Sequence, residues 1–148
     1  MKSLALTLTF AALTAIPAWA DTKSFRDIIG DAANIQMDAE ALRDGLNAKT
    51  LDADAIKAEV AALDKHVEQL QQDVDTLDAH LQDLTASQKK DWELAKTKVQ
   101  LLNIFSDWKV ALVESGDIRK NRSALRAHAN GIAVRAQLLQ RTVNRLDR

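Results

Sequence analysis

The chain reads as an all-α protein, an antiparallel, elongated bundle of three to four helices with coiled-coil-like heptad packing, and three observations predict it. Ile56, Val60, Leu63, Val67, Leu70, Val74, Leu77, Leu81 and Leu84 recur alternately four and three residues apart. A mean spacing of about 3.5 residues keeps one narrow helix face turned toward a partner helix. The same spacing returns in two further stretches, and no proline follows Pro17 to interrupt them.

Residues 1–20 read as a cleaved secretory signal peptide. Met1-Lys2 gives the positive start, Leu4 to Ile16 the apolar core and Ala18-Trp19-Ala20 the small-x-small cleavage site. The apolar run is about thirteen residues, short of the roughly twenty that span a bilayer. No later segment reaches that length, so no transmembrane segment is expected in the mature chain. Residues 21–148 then form a single all-helical domain, periplasmic or secreted. The chain has no cysteine, so disulfides cannot contribute although that compartment permits them. The net charge of −1 gives no reason to expect nucleic acid as a partner.

A first helix is expected from about Ser24 to Asn47, with Phe25, Ile28, Ala32, Ile35, Ala39, Leu42 and Leu46 on one face. The polar group Asn47 to Thr50 ends it. The long stripe belongs to a second helix, about Asp52 to Asp83, opened by acidic residues that suit the positive end of a helix dipole. Beyond Leu84 the heptad would place Gln88 and Asp91 in the seam. A turn near Thr85 follows, and Thr85-Ala86-Ser87-Gln88 has the form of a capping box for a third helix running to about Glu114. The competing reading is one continuous helix from Asp52 to Glu114, because no glycine or proline marks the turn. Ser115-Gly116-Asp117 is a clearer break, with Gly116 suited to closing one helix and Asp117 to capping the next. The fourth helix carries Ile118, Leu125, Ala129, Ile132, Ala136, Leu139, Val143 and Leu146, with Arg122 where one apolar residue is missing.

Charge suggests how these helices pair. A parallel self-pair of the second helix would set Glu59 against Asp64 and Asp73 against Asp78 of its copy, which such coils avoid. Residues 52–83 hold nine acidic residues against Lys57 and Lys65, whereas residues 117–148 hold eight basic ones against Asp117 and Asp147. The expectation is an antiparallel bundle within one chain, with the acidic second helix beside the basic fourth. The alternative is that both charged faces are simply solvated.

The third stretch has two apolar faces. Trp92, Ala95, Val99, Leu102, Val110 and Val113 occupy one side; Leu94, Leu101, Ile104, Phe105, Trp108 and Leu112 fall nearly opposite. Such a helix is either central to the core or presents a surplus face to a partner. The candidate partner-binding face is Leu101, Ile104, Phe105, Trp108 and Leu112, and the partner is a protein or a second copy of the chain in a homodimer.

No catalytic, cofactor-binding or metal constellation accompanies these helices, and nothing in the sequence supports an enzyme. His66 and His80 are about 21 Å apart along one helix, too far to share an ion. No Glu-x-x-His or Cys-x-x-Cys-His occurs. Met37 and His128 are the one conceivable haem pair for a small-molecule carrier of haem, metal or lipid, and Met37 lies outside its helix's seam. The basic fourth stretch offers weak contact with anionic envelope surfaces or polyanions as a further alternative.

Leu84-Thr85-Ala86-Ser87-Gln88, followed by Lys89-Lys90-Asp91-Trp92, resembles the LTxxQ motif of the Spy and CpxP group of periplasmic proteins. The motif occurs once. The resemblance implies an ATP-independent envelope chaperone or stress-response protein that binds clients on an apolar helical surface. Together with the export signal, it makes the expected function that of an exported, non-enzymatic helical bundle acting through protein–protein contacts as a chaperone-like, scaffolding or stress-related protein.

Overall fold

The computed structural model describes residues 23–114 and 117–148, with backbone alone at 108–112 and 114. The expected signal peptide and the turn at Gly116 lie outside the described residues. Four helices follow in order: α1 (Phe25–Asn47), α2 (Ala53–His80), α3 (Ala86–Glu114) and α4 (Ile118–Val143). Each begins at a side chain that accepts hydrogen bonds from otherwise unpaired N–H groups. Ser24 and Asp27 form a reciprocal capping box on α1. Asp52 accepts from the Asp54 and Ala55 N–H groups, and Asp117 from those of Arg119 and Lys120. At α3 the Thr85 hydroxyl accepts from the Gln88 N–H at 3.3 Å, while Gln88 Oε1 accepts from the Thr85 N–H at 3.0 Å.

The continuous helix from Asp52 to Glu114 is therefore not formed. α2 ends at His80, Leu81 is extended, and Asp83 takes the left-handed conformation at φ 62°. Aspartate is among the few non-glycine residues that tolerate that region, which lets the chain turn without glycine or proline. Leu81 and Leu84 leave the helix but still pack against the core.

Successive helices are neighbours because their connections are short, and α1 meets α4 to close the ring. The sense is antiparallel throughout. Arg26 pairs with Asp147, Gln140 donates to Gln36 and Arg126 donates to Asn47 between α1 and α4. Lys96 pairs with Asp78 between α2 and α3, and Arg145 with Asp91 between α3 and α4.

The expected pairing of acidic α2 with basic α4 is corrected: the two are diagonal, and each packs mainly on α1 and α3. Apolar fit outweighs charge in this choice. Exposed ion pairs contribute about 0–1 kcal/mol each, whereas fully burying a leucine or isoleucine contributes about 1.5–3 kcal/mol. Ala32 and Ala39 on α1 and Ala129 and Ala136 on α4 lie in the two seams, all buried. Small side chains there let the two helix backbones approach closely, and α1 and α4 form the most extensive helix pair.

Arg122, the gap in the α4 seam, has a structural task. Its guanidinium donates to the Leu46 and Ala48 carbonyls, where α1 ends and leaves acceptors unpaired. At the other end of the bundle, Trp92 packs edge-on against Phe25 with ring centroids 5.8 Å apart, and its Nε1–H donates to Asp78. That hydrogen bond, helped by Lys96, holds the Asp78 carboxyl below its usual range.

Asp73, read from sequence as a flanking charge, is only 4% exposed. It is ion-paired to Lys23 at 2.9 Å and accepts from Gln69. One oxygen of neighbouring Asp31 is buried without a hydrogen-bond partner. Burial first, and then the Asp73 charge, push the Asp31 carboxyl up to about 6. An ordinary aspartate titrates near 3.9, so between about pH 4 and 6 the folded state holds a proton that the unfolded state has lost. The contribution of Asp31 to stability therefore falls as pH rises through that window and stays low above it. Asp31→Asn is expected to raise Tm at pH 7.5 by about 4 °C, allowing for solvent screening at this half-buried site, and to change it little at pH 4.5. Thermal melts followed by circular dichroism at the two pH values check this, and an equal effect at both would contradict it.

Candidate functional site: an apolar groove between the third and fourth helices

α3 is not enclosed on all sides, because only α2 and α4 flank it. Trp92, Ala95, Val99 and Leu102 face the core and are buried, whereas Leu94, Leu101 and Ile104 are 43%, 43% and 51% exposed. The reading that placed α3 at the centre of the core is thereby overturned for this face. The side chains of Trp108, Val110 and Leu112 lie outside what the structure describes.

The described members of the candidate face divide in role. Leu101 and Ile104 are open to solvent, while Phe105 is half-buried, packs against the core and turns toward α4. Its ring lies 5.9 Å from that of His128, and the Arg135 guanidinium sits 3.5 Å over its centroid. Gly131 makes room for this joint. A Cβ there would meet the Phe105 ring at 3.6 Å and Arg135 Nη1 at 3.1 Å. Arg135 Nη1 also donates to the Gly131 carbonyl at 2.9 Å, which fixes the guanidinium over the ring.

Beside this joint, Lys98 and Leu101 from α3 and Val134, Arg135 and Leu138 from α4 line an open groove of about 260 Å³. Val134 is 48% exposed and Leu138 41%. These two residues were not anticipated from the sequence, although a signal was present. Both project away from the seam of Ile132, Ala136 and Leu139, the same two-sided pattern that marks α3.

The charges around the groove have one sign. α4 contains no acidic residue between Ile118 and Val143. Among the described residues no carboxylate pairs with Lys98, Arg135 or Arg141, whereas Arg145 is neutralised by Asp91 at 2.9 Å. On α4, losing α2 as a neighbour is what leaves Arg135 and Arg141 unmatched.

Other surfaces offer less chemistry. A larger opening between α2 and α3, about 480 Å³, is lined by Asp64, Val67, Glu68, Asn103, Ser106 and Asp107. There the Ser106 hydroxyl donates to Asp64, and no histidine stands by to make a nucleophile of it. Among the described residues no three potential metal ligands cluster. Met37 points into solvent on α1, and His128 faces Phe105, so the two do not converge on a haem-sized space. His66 is bonded to Asp38 across the α1–α2 joint, and the His80 ring is hydrogen-bonded to the Thr76 carbonyl. No described helix is long and apolar enough to cross a membrane.

Together the fold and the site define a ring-closed four-helix bundle with one cation-flanked apolar groove on its outer surface. No protein-family model, curated protein or solved structure matches the chain.

The division of roles on the face is testable by stability alone. Leu101→Ser is expected to change unfolding free energy by less than about 0.5 kcal/mol, as at an exposed site. Phe105→Ala is expected to cost about 2–4 kcal/mol, because it empties a packed joint. Urea denaturation of both variants reads the difference, and a large loss with Leu101→Ser would show Leu101 to be part of the core.

Proposed function

We propose that this chain is an exported, periplasmic, non-enzymatic helical bundle that works through protein–protein contact, in a chaperone-like, scaffolding or envelope-stress role. The observation that carries the reading is the convergence of exposed Leu101, Val134 and Leu138 in a groove between two helices. Large apolar side chains grouped at the surface cost solvation free energy, and in soluble proteins such grouping marks contact sites. The joint of Phe105, Gly131 and Arg135 braces the groove from one side, so a partner meets a preformed surface with little ordering cost.

Two sequence features support the location and the role. The signal-like residues 1–20 support export. The resemblance of Leu84 to Gln88 to the LTxxQ motif supports a chaperone-like role. In this chain the Thr85 and Gln88 of that motif are engaged in capping α3, and the contact surface lies about three to four turns further along the same helix.

Site-specific photo-crosslinking in the native host tests the proposal. A benzophenone side chain at 101 or 138 is expected to give discrete protein adducts in the periplasmic fraction, and one at exposed Glu68 on α2 is expected to give none. Absence of adducts from 101 and 138, or recovery of the chain from the cytoplasm alone, would contradict it.

A further inference from the structure

The groove also carries information about what fills it, and this step rests on the protein-contact reading above. Its apolar lining, Leu101 from α3 and Val134 and Leu138 from α4, borders the furrow between two packed helices, a shape that a third helix fills by setting its own ridge into it. The groove is lined by a cation from each side, Lys98 on α3 and Arg135 on α4, with Arg141 one turn beyond Leu138 and no acidic residue on α4 to offset them. From this geometry we propose that the occupant is an amphipathic α-helix of a partner protein, with leucine-like residues along one stripe and Asp or Glu flanking that stripe on both sides.

Charge complementarity selects this occupant over two others. A second copy using the same groove would meet it through a two-fold axis, which sets a patch against itself and brings Lys98, Arg135 and Arg141 toward their own duplicates. A copy's α2 is acidic, but its large apolar residues from Ile56 to Leu77 are buried in its own core, so it offers charge without an apolar stripe. An anionic bilayer would satisfy the cations. It meets protruding side chains, however, and the apolar residues here converge on a recess.

Two synthetic three-heptad peptides provide the test. Both carry leucine at the first and fourth heptad positions; one is flanked by glutamate, the other by lysine. Binding of each fluorescein-labelled peptide to the intact mature chain is followed by anisotropy at low salt, with light scattering and vesicles of phosphatidylglycerol run in parallel. The acidic peptide is expected to bind at least about tenfold more tightly than the basic one, a preference that shrinks as salt rises. The double variant Lys98→Glu/Arg141→Glu, with an unchanged melting profile, is expected to lose that preference, and Leu138→Ser is expected to weaken both peptides. Equal binding of the two peptides by the native chain would overturn the assignment of an acidic partner while leaving the protein-contact reading in place. Binding of neither peptide, with no periplasmic adducts from 101 and 138, would overturn both. A concentration-dependent dimer blocked by Leu138→Ser would assign the groove to self-association, and vesicle binding that the acidic peptide cannot displace would assign it to lipid; either result overturns the proposal.

Discussion

With no cysteine in the chain, every constraint on the fold comes from four apolar seams that must close on one another. Each helix has a stripe too apolar to be left in water, which its neighbours must bury. The antiparallel ring satisfies all four, and α1 and α4 fit most closely because both carry buried alanines in their seams. That fit decides which helices touch. Charges then adjust to positions that packing has already chosen.

The functional surface follows from that order of priority. If charge had dominated, α2 would lie beside α4 and neutralise its arginines. Because α1 takes that place, Arg135 and Arg141 remain unmatched along α4, next to the uncovered side of α3. The bundle buries one face of α3 and leaves Leu94, Leu101 and Ile104 in solvent, so the groove is the remainder of a seam-packing solution. Polar groups inside the bundle are handled locally instead: Arg122 closes the end of α1, Asp78 receives the Trp92 N–H, and Lys23 neutralises buried Asp73.

Much of this architecture was legible in the sequence because heptad spacing and capping residues are local signals. All four helices were expected, the first three with ends within about three residues. The fourth stops at Val143, short of Leu146 in its expected stripe and of the terminus it was expected to reach. The Thr85 cap and Asp117 cap are formed as read. What sequence could not give depends on three dimensions. The neighbour of α4 was misassigned because charge balance ignores the close approach that buried Ala32, Ala39, Ala129 and Ala136 allow. The turn at Asp83 was left ambiguous because an aspartate at positive φ has no signature of its own. Arg122 read as a flaw in the seam because its acceptors belong to a helix more than seventy residues away. On the candidate face, α3 supplied Leu101 and Ile104 from its two-sided pattern, while Val134 and Leu138 were missed because α4 was searched only for its seam.

The central claim is that α1, and not α2, packs along α4, since the exposed cations and the groove both depend on it. A chain without cysteine allows a direct measurement. Cysteine pairs at Gln36 with Gln140, and at Glu68 with Gln140, are treated with a short bis-maleimide at low protein concentration, and the crosslinked monomer is followed with time. The 36/140 pair, whose native side chains are hydrogen-bonded at 2.9 Å, is predicted to crosslink rapidly and the 68/140 pair scarcely at all. Comparable rates for the two pairs would place α2 against α4 and contradict the account.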